Sequence, residues 1–196
     1  MSTPRSVCVF CGHSTGADPR HVAAATNLGR SLAERGIDLI YGGGRLGIMG
    51  AVAEAALTSG GRVIGIIPDF LMRMEAAYHE ITEMIIVRSM ETRKRMMMDR
   101  ADAFCVLPGG FGTMDETFEV ITQKQLGLLR QPLILLNTGG FFTPWRALAD
   151  GIIGGGFATP ETASLYTLVD SEADILPTME AELARTEPLL RLAAAE

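Results

Sequence analysis

Cys105-Val-Leu-Pro-Gly-Gly-Phe-Gly-Thr-Met-Asp-Glu116 runs from a short apolar segment through a proline and a glycine-rich turn into the opening of a helix. Ala103-Phe-Cys-Val-Leu107 is stopped by Pro108 and suits a strand buried on both faces. Gly109, Gly110 and Gly112 remove side chains where the backbone turns sharply or meets a ligand closely. Thr113 is placed to cap the helix that follows. A strand, glycine loop and helix N-terminus in succession expose backbone N–H groups at the positive end of a helix dipole, a setting suited to a phosphate. Asp115 and Glu116 bring carboxylates to that first turn. Thr113-x-x-Glu116 also has the spacing of a capping box, which needs no glycine; the three neighbouring glycines favour a ligand-facing carboxylate.

Outward from this stretch, strands alternate with helices along the chain. Strands are expected at residues 6–11, 37–41, 62–67, 83–87, 103–107, 132–136 and 165–169. Helices are expected from Asp18-Pro19 to Gly36, over 46–59, over 89–101, from Thr113 to about Leu129 and from Thr143-Pro144. A shorter helix follows Thr159-Pro160, and 171–184 is weakly helical around Pro177, with fraying expected after Glu187. This alternation predicts α/β architecture: one parallel sheet of about seven strands, doubly wound, with helices on both faces and residues 1–196 as a single domain. Ligands in such sheets gather at the carboxyl ends of the strands.

The bulk composition narrows the classes. The net charge of −6 argues against a nucleic-acid partner. No apolar run reaches the roughly 18 residues needed to cross a bilayer, so a membrane partner is not expected. Three cysteines make no disulfide framework and point to a cytoplasmic home.

Other motifs compete for the chemistry. In the 89–101 helix, Met90, Met97 and Ala101 form the expected buried stripe, with Arg93 and Lys94 on its edges. Glu91, Arg95, Asp99 and Asp102 fall on the solvent side. The cations either snorkel or meet the carboxylate at the rim of the glycine loop. Gly42-x-Gly44-x-x-Gly47 matches a dinucleotide fingerprint, with Asp69 about 20 residues on. Cys8-x-x-Cys11 resembles a metal motif, but the two residues point to opposite faces of a strand. No metal is expected. Cys11-Gly-His-Ser14 has the composition of a ligand-facing loop.

Taken together, Tyr41-Gly-Gly-Gly-Arg-Leu-Gly-Ile-Met-Gly50, Arg93-Lys94 and Pro108-Gly-Gly-Phe-Gly-Thr-Met-Asp-Glu116 resemble the LONELY GUY family of cytokinin riboside 5′-monophosphate phosphoribohydrolases, known in older naming as "possible lysine decarboxylase". The resemblance spans residues 7–169. It implies a Rossmann-like fold, no cofactor, and a homodimer or higher homo-oligomer with sites near the subunit interface. The implied reaction hydrolyses the N-glycosidic bond of a nucleoside 5′-monophosphate, AMP included, to free base and ribose 5-phosphate. It places catalysis on Arg93 and Glu116, and the phosphate on Gly109, Gly110, Gly112 and Thr113. Further substrate contacts fall on Glu75, Lys94, Phe111, Met114, Asp115 and Thr122. His13, Phe111 and Met114-Asp115 depart from the residues usual in the family (serine, tyrosine and Leu-Glu) and bear on base preference. With two lysines, neither in a cofactor-lysine context, pyridoxal phosphate is not expected. A nucleotide carrier without turnover is the alternative on the same fold.

Overall fold

The computed structural model describes residues 3–72, 74 and 76–193, with side chains as far as Arg185. Seven strands form one sheet: β1 (Ser6–Phe10), β2 (Asp38–Tyr41), β3 (Val63–Pro68), β4 (Glu83–Val87), β5 (Ala103–Val106), β6 (Leu133–Leu136) and β7 (Thr167–Val169). Every pairing is parallel, and the order is β4-β3-β2-β1-β5-β6-β7. The order reverses between β1 and β5, the switch point at which doubly wound sheets open a crevice. The glycine loop that follows β5 therefore lies at that crevice.

Alternation along the strands divides the core in two. Val7, Val9, Leu39 and Tyr41 face α1 (Pro19–Glu34), α2 (Gly47–Thr58) and α6 (Ile175–Ala193). Cys8, Phe10, Ile40 and Phe104 face α3 (Met90–Asp99), α4 (Phe111–Gln125) and α5 (Thr143–Gly154). Cys8 and Cys11 fall into different clusters, as period-2 geometry requires. Asp18 caps α1 through its carboxylate and Ser89 caps α3 through its hydroxyl, so both start signals work as their side-chain chemistry predicts.

Three expectations need correction. Helix α4 begins two residues early: Gly110 is its N-cap, in extended conformation with no side-chain cap bond. Thr113 is then the third helical residue and Glu116 the sixth, so the capping box does not form. Glycine serves as an N-cap nearly as well as threonine, which removes the need for one at 113. Secondly, Arg93 lies in the centre of the buried α3 stripe rather than on its edge, with only 3% of its surface exposed. Thirdly, the last helix continues to Ala193 instead of fraying after Glu187. Pro177 is its third residue, where a missing N–H has no intrahelical partner to lose.

Among the described residues no helix is long and apolar enough to cross a membrane. Helices α1 and α2 pack closely at Gly29. A Cβ on Gly29 would stand 2.3 Å from the Val52 carbonyl oxygen and 3.1 Å from the Ala55 Cβ. Gly29→Ala should therefore lower stability by about 1–3 kcal/mol through overpacking, read as a melting-temperature drop of roughly 2–4 °C per kcal/mol. The same change at Gly151 in α5 meets nothing within 4 Å and should hold or slightly raise the melting temperature, since alanine favours a helix interior.

Candidate active site

The β5 strand delivers a buried, paired backbone to the loop. Leu107 N–H donates to the Phe10 carbonyl (2.9 Å) and Gly12 N–H to the Pro108 carbonyl (3.1 Å), so β1 and β5 continue side by side into their loops. Gly109 then packs so closely that a Cβ would meet the Thr113 Oγ1 at 2.2 Å and the Gly12 nitrogen at 2.8 Å. Gly110 and Gly112 are different: a Cβ at either would meet nothing within 4 Å. The fold needs only the first of the three glycines; the other two leave empty space above the start of α4.

That start is open to a ligand. The first intrahelical bond is Met114 N–H to the Gly110 carbonyl (3.1 Å), so the N–H groups of Phe111, Gly112 and Thr113 have no partner within the helix. Thr113 is buried, and the Thr117 hydroxyl donates to its carbonyl (2.7 Å). Glu116 is 9% exposed and stands three and four residues beyond Thr113 and Gly112, on the same face. Helical side chains lean toward the N-terminus, which places Glu116 over the turn that carries those N–H groups.

Arg93 reaches the same region from α3. Its Nη2 donates to the Gly42 carbonyl (2.6 Å) and its Nε to the Ile66 carbonyl (3.0 Å), tying α3 to the carboxyl ends of β2 and β3. A Cβ on Gly42 would lie 2.2 Å from that Nη2, so Gly42 is glycine for the sake of Arg93. Arg93 and Glu116 converge on Cys8. Burial pushes the Cys8 thiol well up; the Glu116 carboxylate raises it further, while the Arg93 guanidinium works against them. Both residues expected to be catalytic are thus buried and close enough to act electrostatically on the same thiol.

Lys94 turns away from the loop. Its Nζ pairs with Asp115 (2.9 Å) and Glu119 (2.6 Å), bracing α3 against α4, and the Glu119 contact above all raises its pKa. Asp115 is therefore engaged on the outer side of α4. Thr122 is exposed and lines a separate cleft between α4 and α5. Phe111 projects into solvent at 96% exposure, and Met114 lines the cleft beside it. Glu75 lies outside the described residues.

The competing glycine motif is closed by its own chain. Met49 N–H donates to the Gly12 carbonyl (3.1 Å) and Ile48 N–H to the Ser14 carbonyl (3.4 Å), so the start of α2 is occupied by the β1–α1 loop. Gly47 adopts φ +62°, and a Cβ there would meet the His13 carbonyl carbon at 2.3 Å. A pyrophosphate has no room at this helix end. The lysines likewise fail to offer a Schiff-base amine in a cleft: Lys94 is doubly ion-paired, and Lys124 donates to the Gln131 carbonyl (2.6 Å) in the last turn of α4. Among the described residues no group of three or more His, Cys, Asp or Glu is arranged to hold a metal ion.

Two clefts of about 450 and 430 Å³ meet at Gly109 and Gly110. Phe141, which sequence reasoning missed, lines both. Asn137-Thr-Gly-Gly140 at the end of β6, with φ of +68° and +77° at its glycines, was the available signal for a turn reaching the crevice.

Comparison with known proteins places the chain among described relatives. The family model described as "Possible lysine decarboxylase" matches residues 49–179. A cytokinin riboside 5′-monophosphate phosphoribohydrolase of Rhodococcoides fascians is 44% identical over 163 residues, covering 83% of this chain and 82% of the relative. One from Arabidopsis thaliana is 40% identical over 176 residues, covering 90% and 81%. The solved molybdenum cofactor binding protein of Rippkaea orientalis superposes with a TM-score of 0.72 at 20% identity, over 93% of this chain and 99% of that one, a likeness of fold alone.

The two kinds of glycine in the loop are separable by experiment. Gly109→Ala should lower the melting temperature by several degrees, because the new methyl strikes Thr113 and Gly12. Gly112→Ala should leave it within about 1–2 °C, the order expected away from packing or hydrogen-bonding features, while weakening anion binding measured by calorimetry with ribose 5-phosphate.

Proposed function

The chain belongs to the LONELY GUY family, and from that premise we propose that it is a phosphoribohydrolase, releasing free base and ribose 5-phosphate from cytokinin riboside 5′-monophosphates and from AMP. The observation that carries the reading is a buried arginine and a buried glutamate, both acting electrostatically on Cys8, with the glutamate one turn into a helix whose first N–H groups have no partner within the helix. The 5′-phosphate sits on the N–H groups of Gly112 and Thr113, with the Gly109 and Gly110 backbone and the Thr113 hydroxyl beside it. Held there, it supplies remote binding energy that orients the ribose over Glu116.

Cleavage of the N-glycosidic bond passes through an oxocarbenium-like state. Positive charge grows at C1′ and the ring oxygen, and the Glu116 carboxylate stabilises it most at that moment. The bond from C1′ to the base nitrogen breaks with its electron pair going to the base. Water adds to C1′ and gives its proton to Glu116; the leaving base takes up a proton from solvent, and Glu116 returns its own to solvent, so the proton balance closes. Arg93 holds the phosphate–ribose end and stabilises the leaving base. We assign Lys94 to positioning: its bridge to Asp115 and Glu119 fixes α4, and so the direction of Glu116. Phe111 and Met114 border the apolar cleft beside the loop and are assigned, with Glu75 and Thr122, to contacts with the rest of the substrate or with a neighbouring subunit.

A homodimer or larger homo-oligomer, a cytoplasmic location, a single domain and the absence of a cofactor belong to the same proposal. The nearly complete exposure of Phe111 beside the loop supports a covering partner. Cys8, Cys11 and Cys105 are buried and none forms a disulfide, which supports a reducing compartment. The carrier alternative predicts binding without base release, and the distant carrier-like neighbours do not favour it.

Glu116→Gln preserves shape and removes the charge. It should reduce kcat for base release from AMP about 10²–10³-fold and lower the melting temperature by a few degrees, because a charge that offsets buried Arg93 is lost. Base release at the wild-type rate would remove Glu116 from the mechanism. Arg93→Ala should abolish activity and also destabilise the fold, since it orphans the carbonyls of Gly42 and Ile66. Arg93→Lys is therefore the informative partner, retaining charge while losing the two-point geometry.

A further inference from the structure

We propose that His13 is a second anchor for the 5′-phosphate, its imidazole donating a hydrogen bond to a phosphate oxygen opposite the N–H groups of α4. The proposal rests on the nucleotide reading above and adds to it a side chain that sets preference for phosphorylated ligands.

The backbone of His13 cannot move away from the loop. On one side, Gly12 donates to the Pro108 carbonyl (3.1 Å), and a Cβ on Gly12 would stand 3.2 Å from the Gly109 Cα. On the other side, Gly12 and Ser14 carbonyls accept from Met49 and Ile48 at the start of α2. The His13 carbonyl itself rests against Gly47. The β1–α1 loop is thus wedged between both glycine segments. What the wedge leaves exposed is the imidazole, which lines the same cleft of about 450 Å³ as Gly109 and Gly110.

The charges around this cleft select His13. A phosphate brings nearly two negative charges. Lys94 is taken up by Asp115 and Glu119. Arg93 is held by two backbone carbonyls. Arg20 does not line the cleft and is paired with Asp18 (2.6 Å), which does. His21 lines the cleft too, but it is buried with its ring edge-on to Phe141, at 5.6 Å and 80°. Ser14 is a neutral donor beside it. His13 is the exposed side chain of this set that combines ring N–H donors with a reach longer than that of Ser14, and a hydrogen bond to an ionised phosphate is about twice as strong as a neutral one.

The test compares wild type with His13→Ala and His13→Asn. Ribose 5-phosphate affinity is measured by calorimetry, and kcat and KM by base release from AMP. His13→Ala should weaken ribose 5-phosphate about tenfold and raise the KM for AMP by a similar factor, with kcat within about twofold and an unchanged melting temperature. His13→Asn, which keeps a neutral donor, should recover part of the loss. Unchanged ribose 5-phosphate affinity in His13→Ala overturns the proposal. So does a fall in kcat as large as the fall in kcat/KM, because an anchor used equally before and in the transition state leaves kcat alone. Should the wild-type protein release no base, the enzymatic reading fails while the ribose 5-phosphate titration still decides the role of His13.

Discussion

A cation buried against two backbone carbonyls organises this site. The Arg93 guanidinium holds Gly42 and Ile66 at the ends of β2 and β3 and so fixes α3 against the sheet. Taking a guanidinium out of water costs several kcal/mol unless its donors are satisfied and an opposite charge is near. The carbonyls meet the first condition. Glu116, acting on the same Cys8, provides the carboxylate in the same neighbourhood. Arg93 also fixes a piece of sequence elsewhere: Gly42 must lack a side chain for the guanidinium to reach its carbonyl. One ion thus links α3, the first glycine segment and, through the shared neighbourhood of Cys8, the helix that carries Glu116.

Two helices of this fold begin with glycine-rich segments, and local sequence does not tell them apart. Both follow a strand, both carry the spacing of a phosphate site, and both present the positive end of a helix dipole. The difference is occupancy by the chain itself. At α2, the Gly12 and Ser14 carbonyls take the hydrogen bonds an anion would need. At α4, the corresponding N–H groups have no partner within the helix, and the loop before them lines the clefts beside the reversal of strand order between β1 and β5. The β1–α1 loop does double duty, stopping one helix end with its backbone and lining, through His13, the cleft beside Gly109 and Gly110.

The placement of α4 bears on what Glu116 can do. Had Thr113 capped the helix, the glutamate would have folded back onto the cap backbone as its reciprocal partner. With Gly110 at the cap, Glu116 moves into the second turn and lies over Gly112 and Thr113. Gly112 offers no side chain to shield it from the crevice. The ion pairs from Lys94 to Asp115 and Glu119 hold the opposite side of the helix, so the carboxylate is aimed by structure on both of its flanks.

Much of this was legible in the chain itself. Apolar runs of strand length, separated by capped helices, specified a parallel α/β sheet of seven strands, because periodicity and capping are local properties. Period-2 geometry separated Cys8 from Cys11, and three motifs together pointed to the family and to Arg93 and Glu116. Other features depend on contacts between distant segments. That Gly42 serves an arginine 51 positions away, that Lys94 is consumed by α4, and that Phe141 enters the crevice are not encoded in any short stretch of residues. Neither is the choice between the two glycine loops: each has the glycines and the dipole of an anion site, and only packing of the β1–α1 loop against α2 decides which one is left free to bind.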